Sequence, residues 1–279
     1  MPVATVDGAS LRYAVSGSGP VVACVPGLGL GPWSWAWVQG GLSGPVSVLT
    51  YAPRGSTVAA DGGDDQAAGE ATAAGERATA GGDGPFTIDR HAADLAAVLA
   101  DAGVTECHLV GAGVGGQVAL ACARTHRDPE TVTVLGTGAG NWAPAPSLRD
   151  RLCSDDAEQS LSPHVGDAFL GTEAGARALD WHRASVAPPR VRAATLEAAV
   201  DWNLDAPHER TTPTQVLHGA DDAVVAPDRG RRLAAALPRG EFRRIPGGQH
   251  LVAVTDHRAV ADHLNGFLAD HVDCWPVEE

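Results

Sequence analysis

The sequence predicts an α/β fold in which a mostly parallel central sheet is flanked by helices and carries a small helical cap. Three observations support this prediction. Short apolar runs typical of buried strands alternate with longer stretches of helical spacing, glycine-rich turns follow several of these runs, and the alternation is interrupted once. The 279 residues are enough for one domain with a large core and a small lid.

Strands are predicted where a short apolar or β-branched run enters a turn. A strand-and-turn pattern at 5–15 comes first, and further strands are expected near 21–25, 46–51, 107–111, 131–135, 214–218 and 241–245. Helices are predicted where apolar residues recur every three or four positions. These stretches lie near 87–102, 115–126, 193–203, 227–237 and 256–271. Thr87 precedes the first of them and is expected to be its N-cap.

Two segments depart from the alternating pattern. Residues 140–210 interrupt the strand series with weakly helical sequence, and we expect them to form a helical cap or lid on a core built from 1–139 and 211–279. Residues 57–84 are a low-complexity run with too few apolar side chains to bury, so we expect a mobile surface loop. Whether the cap or this loop closes over a pocket stays open.

Composition excludes several classes of function. The net charge of −14 argues against nucleic acid as a partner, since phosphate binding needs a basic face. All twenty basic residues are arginine, so no lysine can form a Schiff base. No apolar run is long enough to cross a membrane, and a strand pattern stands where a signal peptide would lie. With five scattered cysteines, typical of reduced thiols, we expect a cytoplasmic protein of open oligomeric state.

The most informative segment is 108–120, where an apolar strand runs through a glycine-dense turn into a predicted helix. Its layout matches Gly-x-Ser-x-Gly, a sharp turn that lifts a nucleophilic serine above a parallel sheet. Gly111 and Gly115 keep the frame, but Gly113 occupies the serine position. Glycine has no side chain that could attack a carbonyl, so no acyl-enzyme can form through this turn.

The other parts of such a site follow in the expected order, nucleophile, acid, then histidine. The predicted strand at 214–218 ends in an acidic turn, and the strand at 241–245 is followed by Gly-Gly-Gln-His. Upstream, the strand at 21–25 enters the glycine loop 26–29. Together with the turn at 108–120, these features resemble the α/β-hydrolase fold family over nearly the whole chain.

The resemblance implies a role for each matching position. It places the acid at Asp222, with Asp221 as a rival, and the base at His250. It also implies that the backbone amides of Leu28 and Val114 form an oxyanion hole.

The chain also departs from the family pattern. Gly113 replaces the nucleophile, Ala112 replaces the histidine often found before it, and Pro26 replaces the histidine that often opens the oxyanion loop. The family's Asp-x-Arg-Gly-x-Gly-x-Ser loop is reduced to the segment 52–57. These departures put ordinary ester or peptide hydrolysis in doubt without affecting the fold.

The glycines also fit a dinucleotide-binding pattern, because Gly111, Gly113 and Gly116 satisfy G-x-G-x-x-G between a strand and a helix. That site needs an acidic residue at the end of the next strand to hold a ribose. The strand at 131–135 ends in Gly-Thr-Gly instead. The sequence therefore predicts neither a nicotinamide or flavin cofactor nor a metal.

Aromatic residues cluster in the cap segment and after the oxyanion loop, where they are expected to wall a pocket for a flat, lipophilic ligand. The alternative is that some of these rings only pack the cap onto the core. His218 is expected in the core, whereas His182 is a second, weaker catalytic candidate. The predicted substrate-binding residues are Trp33, Trp35, Trp142, Trp181, His182 and Trp202.

These features predict an enzyme without covalent catalysis. His250, oriented by Asp222, would move protons while the two amides stabilise an enolate or alkoxide. Cyclisation, elimination, C–C cleavage and hydrolysis by directly activated water all fit, on a small lipophilic substrate such as a polyketide-like natural-product intermediate of a GC-rich bacterium. Two alternatives stay open: a non-catalytic small-molecule-binding protein on a hydrolase scaffold, and a serine hydrolase whose nucleophile was artificially replaced by Gly113.

Overall fold

A single eight-stranded sheet forms the centre of the computed structural model, which describes residues 1–42, 44–56, 86–140 and 142–271. Its strands are β1 (Val3–Val6), β2 (Ala9–Gly17), β3 (Val21–Val25), β4 (Ser47–Tyr51), β5 (Cys107–Ala112), β6 (Thr131–Leu135), β7 (Thr214–Gly219) and β8 (Gly240–Ile245). The six strands predicted between 21 and 245 match β3 to β8 within one residue at each end. The predicted fold class is confirmed.

The strand order, β1-β2-β4-β3-β5-β6-β7-β8, positions the functional loops. β1 pairs with β2, and β2 with β4, in antiparallel fashion, while all pairs from β4 to β8 are parallel. Val25 of β3 is paired with Gly111 of β5, and Ala112 of β5 with Leu135 of β6. The loops that follow β3, β5 and β6 therefore emerge side by side at the carboxyl edge, where open α/β sheets bind ligands.

Helices cover both faces of this sheet. The described residues form α1 (Ala36–Gln39), α2 (Ile88–Asp101), α3 (Val114–Thr125), α4 (Pro146–Leu152), α5 (Ala157–Val165), α6 (Asp167–Leu170), α7 (Glu173–Ser185), α8 (Pro189–Asp201), α9 (Pro227–Ala236), α10 (Val252–Thr255) and α11 (His257–Ala269). Thr87 caps α2 as predicted, because its hydroxyl accepts a hydrogen bond of 3.1 Å from the amide of Arg90. None of these helices has both the length and the apolar character that a membrane span requires.

Two apolar clusters hold the helices on the sheet. One joins α2, α3 and α9 to one face, with Leu95, Leu109 and Val216 fully buried. The other packs α1, α11 and parts of the segment 140–210 against the opposite face, around Val22 and Leu135. Because both faces are covered, β3 to β7 are buried almost throughout. The edge strand β8 consists mostly of exposed or half-buried residues.

The segment between β6 and β7 is helical, with α4 to α8 in succession. An antiparallel bridge between Gly140 and Asn203 joins its two ends close to the sheet. Only α8 of these five helices was predicted individually, because the others are short and carry little periodicity. The division into a core and a cap at 140–210 stays a prediction, and the expected mobile loop at 57–84 lies outside the described residues.

Buried histidines make the fold sensitive to acid. Burial lowers the pKa of His91, His108 and His182 to about 4, whereas an unfolded histidine titrates near 6.5. Between these values the unfolded chain binds more protons, so stability falls as the pH drops from about 6.5 towards 4. We expect the free energy of unfolding, measured by urea denaturation, to be lower at pH 5 than at pH 7 by about 2 kcal/mol for each of these histidines.

The control is His108→Gln, which removes one titrating group and keeps a partner for the hydroxyl of Thr131, 2.9 Å from Nδ1 of His108. In this variant, the free energy of unfolding should change between pH 7 and pH 5 by about 2 kcal/mol less than in the parent protein. Equal free energies of unfolding at pH 5 and pH 7 would contradict this expectation.

Candidate active site

A tight turn connects β5 to α3 at Gly113, which has φ 54° and ψ −116°. This left-handed conformation costs glycine little because it has no Cβ. The turn is fixed on both sides: the amide of Gly113 donates to the carbonyl of Leu135 at 2.8 Å, and its carbonyl accepts from the amide of Gly116 and the hydroxyl of Thr137, both at 3.0 Å. The turn geometry of the elbow is thus retained with glycine at its central position.

The frame glycines are required by close backbone approach. A Cβ on Gly111 would collide with the backbone of Gly115, and a Cβ on Gly115 would collide with the carbonyls of Val25 and Pro26. Gly115 therefore brings the start of α3 against the loop that follows β3.

His250 and Asp222 form a buried hydrogen-bonded pair, with Nδ1 of His250 2.8 Å from Oδ2 of Asp222. The other carboxylate oxygen, Oδ1, accepts hydrogen bonds of 2.8 Å from the amides of Val224 and Val225. Because an ionised carboxylate can only accept, Nδ1 must carry the proton, which leaves Nε2 with a free lone pair. Asp221, the rival acid, is exposed.

The environment of Asp222 keeps its carboxylate ionised. Burial by itself would raise the pKa of Asp222, but the charge of His250 and hydrogen bonds from His218 and His250 outweigh it and hold that pKa well below its usual range. The dyad therefore keeps a negative charge behind the imidazole across the physiological pH range, and such a charge favours a protonated ring.

His218 is a second partner of the acid that sequence reasoning missed. It lies in β7, fully buried as expected of a core residue, but its Nε2 is 3.1 Å from Oδ2 of Asp222 and 2.8 Å from the carbonyl of Val225. The position of this histidine at the end of a strand that enters the acidic turn was the only signal in the sequence. It therefore contacts the same carboxylate oxygen as His250.

Nε2 of His250 faces the elbow. A Cβ on Gly113 would lie 2.9 Å from Nε2 and 3.5 Å from Cε1 of His250. Gly136 brings the end of β6 equally close, since a Cβ there would lie 3.0 Å from Nδ1 of His250 and 3.2 Å from Oδ2 of Asp222. The basic nitrogen therefore points at the position from which a serine hydroxyl would react.

The cavity in front of His250 is small and mainly aliphatic. It has a volume of about 30 Å³. Gly113 and His250 lie on its wall together with Leu28 and Val114, the two positions expected to supply oxyanion amides. Its aliphatic lining is completed by Leu152, Leu196, Ala199, Val224 and Val225.

The expected aromatic wall is not formed. Of the predicted substrate-binding residues, only Trp142 lines this cavity. Trp35 is fully buried in the core beneath α1, and Trp202 packs in the cluster on the opposite face of the sheet. Both rings point into the protein because the large apolar surface of tryptophan is best buried there.

Three further predicted residues form a separate cluster instead of lining the cavity. The rings of Trp33 and Trp181 lie 6.3 Å apart, and the ring of Trp33 lies 6.1 Å from that of His182. His182 is buried, with Nε2 2.9 Å from the hydroxyl of Ser160, so its contacts are those of a residue that joins two cap helices. The alternative in which rings pack the cap onto the core therefore applies to most of this set.

Two cavity residues were missed by sequence reasoning. His164, on α5, has its ring centroid 5.4 Å from that of His250. Burial, followed by the nearby charges of His250 and His182, lowers the pKa of His164 well below its usual value. Gln117 lies one helical turn after Gly113 on α3, a spacing that could have identified it, whereas the weak periodicity of the cap gave no signal for His164.

No metal site is visible in the described part of the chain, where no three His, Cys, Asp or Glu side chains cluster in a way that could hold an ion. Thr137 and Gly138 follow β6, and no carboxylate takes the position that would hold a ribose. The site thus offers an imidazole, a buried carboxylate and backbone amides for catalysis.

Comparisons with known proteins agree with this geometry. The chain is 30% identical over 96% of its length to a protein of Caulobacter segnis named "Putative carbamate hydrolase RutD", of which 99% is covered. A hydrolase from Pseudomonas aeruginosa superposes with a TM-score of 0.75 at 25% identity, covering 95% of this chain and 96% of that one. The enol-lactonase from Burkholderia xenovorans superposes with a TM-score of 0.77 at 22% identity, covering 96% of this chain and all of that one.

These relatives and structures are hydrolases by name, and the prediction that the chain is an enzyme is confirmed. The profile of the Alpha/beta hydrolase family matches residues 22–263, which include the elbow, the acidic turn and the histidine. With the family's sheet order, its strand-turn-helix elbow and its acid–histidine pair all in place, this chain belongs to the alpha/beta hydrolase family.

Proposed function

We propose that this enzyme breaks down a small carbamate-type compound by acid/base catalysis without a covalent intermediate. The observation that carries the proposal is the approach of Nε2 of His250 to within 2.9 Å of the Cβ position of Gly113. The base is thus aimed at the usual nucleophile position, where this chain has no hydroxyl. Water is the nucleophile that a base can activate there.

The reaction can be written with the groups present. Nε2 of His250 takes a proton from water as its oxygen attacks the carbonyl carbon, and the amides of Leu28 and Val114 receive the negative charge on the carbonyl oxygen. The C–N bond then breaks as His250 returns the proton to the leaving nitrogen. Asp222 stabilises the imidazolium between the two steps.

Carbamates suit a site without a nucleophile. A free carbamic acid needs only the transfer of its carboxyl proton to nitrogen, after which the C–N bond breaks to give an amine and CO2. A histidine that accepts and returns one proton is sufficient for this route. The name of the Caulobacter segnis relative supports carbamates as the class to test first.

The lining of the cavity favours one kind of substrate. Most of the side chains on its wall are aliphatic. A small, uncharged carbonyl compound fits such a lining.

The proposal is tested with a panel of small N-alkyl carbamates, with release of the amine as the readout. Product should form with no mass adduct on the protein, because no acyl-enzyme occurs. A ligand that binds tightly and is recovered unchanged after long incubation would instead favour the non-catalytic binding protein. The encoding gene, read at codon 113, tests whether the glycine was introduced artificially.

Gly113→Ser should restore covalent reactivity. We expect a fluorophosphonate to label this variant and not the parent chain, as measured by intact mass. The reason is that the serine would add a nucleophilic hydroxyl next to the His250–Asp222 dyad and the proposed oxyanion amides. The serine must adopt φ near 54° and displace His250 slightly, so the variant should lose about 1–3 kcal/mol of stability.

The control for this labelling is the double variant Gly113→Ser/His250→Ala, which should stay unlabelled. Gly113→Ala separates the backbone strain from the new hydroxyl, since it adds the Cβ alone. A folded Gly113→Ser variant that resists labelling would show that the base and the oxyanion hole are not assembled for catalysis.

A further inference from the structure

Two buried polar atoms on the cavity wall have no partner in the described part of the chain. They are Oε1 of Gln117 and Nδ1 of His164, and their side chains belong to residues that are 7% and 3% exposed. Native proteins rarely leave buried polar atoms without a hydrogen bond. Because both residues line the same cavity as His250, a bound substrate is the natural source of the missing partners.

The orientation of Gln117 defines what it can recognise. Its Nε2 donates a hydrogen bond of 3.1 Å to the carbonyl of Ala199 on α8. If the side-chain amide were reversed, Oε1 would face the carbonyl oxygen of Ala199, and two acceptors would meet. Oε1 is therefore the atom of Gln117 that has no partner among the described residues. This oxygen can only accept a hydrogen bond, which means that it selects for an N–H or O–H group on the ligand.

His164 is held next to the dyad by the backbone. Its carbonyl accepts a hydrogen bond of 2.7 Å from the amide of Leu251, the residue that follows His250. This bond ties α5 of the cap to the catalytic turn, with the two imidazole rings 5.4 Å apart. A neutral imidazole in this position offers one more hydrogen bond to a molecule between the cap and His250.

Most of the remaining cavity wall is apolar. Leu28, Val114, Leu196 and Val225 offer only apolar side-chain surface, and the hydroxyl of Thr137 donates to backbone carbonyls. Gln117 and His164 are cavity residues that each have a buried side-chain polar atom without a partner in the described part of the chain. An apolar cavity with a few placed polar groups is the usual basis of specificity.

We propose that Gln117 and His164 form a recognition pair that binds the N–H group of the substrate and so selects carbamates over their oxygen-linked isosteres. The proposal rests on the proposed function and deepens it, since it names the residues that form hydrogen bonds with the N–H group of the substrate. A carbonate or ester places an oxygen acceptor opposite Oε1 of Gln117, where two acceptors face each other. A site built around such a hydrogen bond rejects the analogue that lacks the donor.

The test compares a small N-alkyl carbamate with the carbonate that differs only by oxygen for N–H. The parent enzyme should favour the carbamate in kcat/KM, relative to the rates of the two compounds in buffer. Gln117→Met keeps the volume and removes the acceptor, so we expect the ratio of the two kcat/KM values to fall by about 10-fold to 100-fold. His164→Phe should lower the same ratio while leaving the fold in place.

Gln215→Met is the matched control. Gln215 is also a buried glutamine with a free Oε1 and with Nε2 bound to a backbone carbonyl, that of His263, but it lies in β7 outside the cavity. This variant should lose a similar amount of thermal stability without changing the ratio. A purely structural role for Gln117 would make the two variants indistinguishable in selectivity.

An unchanged ratio in a folded Gln117→Met variant would overturn this inference, as would a parent enzyme that does not favour the carbamate. Neither result would contradict the proposed function, provided that His250→Ala still abolishes the reaction of both compounds. If Gln117→Met does not fold, His164→Phe and the selectivity of the parent enzyme decide the question.

Discussion

Replacing His250 with alanine is expected to lower kcat/KM for the carbamate reaction by about 100-fold to 10,000-fold, the contribution typical of a positioned acid/base residue. The imidazole is the group that both accepts and returns the proton in the proposed mechanism. Its Nε2 has a free lone pair because Nδ1 is 2.8 Å from Asp222. Steady-state kinetics of amine release, with a thermal melt to verify folding, measure the effect.

Two neighbouring carboxylates supply the comparison. Asp222→Asn removes the group that fixes the tautomer of His250 and should cause a loss of the same order. Asp221→Asn changes the adjacent, exposed side chain and should leave kcat/KM unchanged. Full turnover by His250→Ala would show that the dyad does not carry the reaction, and the mechanism would be wrong.

Replacing Arg54 with alanine is expected to destabilise the fold by about 3–5 kcal/mol, the usual effect of breaking a buried ion pair. Arg54 binds Asp94 on α2 through two hydrogen bonds, with Nε 2.7 Å from Oδ2, and both side chains are almost fully buried. Burial already raises the pKa of Asp94, and without Arg54 its charge would stay in the core unpaired. Urea denaturation at pH 7 measures the loss.

The control is Arg149→Ala, which breaks an exposed pair with Glu197 and should change stability by less than about 1 kcal/mol. The double variant Arg54→Met/Asp94→Leu should recover most of the loss, because apolar side chains can replace a buried ion pair at little cost. Equal destabilisation by Arg54→Ala and Arg149→Ala would contradict this interpretation.

The Arg54–Asp94 ion pair also gives a structural role to the arginine in the segment 52–57, the reduced form of the family's loop motif. From the sequence this segment was interpreted only as a departure from the family pattern. In the structure, Arg54 ties the loop after β4 to α2 by a buried ion pair with Asp94, a role that does not depend on a nucleophile.

Sequence patterns were reliable where the physics is local. β3 to β6 are short runs rich in apolar or β-branched residues, α2 and α9 have clear amphipathic spacing, and Thr87 has the hydroxyl that caps a helix start. The elbow was recognisable from the spacing of Gly111, Gly113 and Gly115, since close backbone approach requires residues without a Cβ.

Patterns failed where contacts join distant parts of the chain. Residue type placed the tryptophans near a ligand, but Trp35 and Trp202 turn into the core and Trp33 packs against Trp181. The short cap helices have little periodicity, so nothing in the sequence showed that α5 carries His164 to the dyad.

The sequence by itself determined the fold class, the glycine at the centre of the elbow and the order of Asp222 and His250, because these depend on periodicity and on turn chemistry over a few residues. Only the tertiary structure placed Nδ1 of His250 2.8 Å from Asp222, with His218 as a second partner, and showed that the cavity is mainly aliphatic. The physical reason is that side-chain direction and packing across the sheet bring together residues far apart in the chain, and no local pattern encodes those contacts.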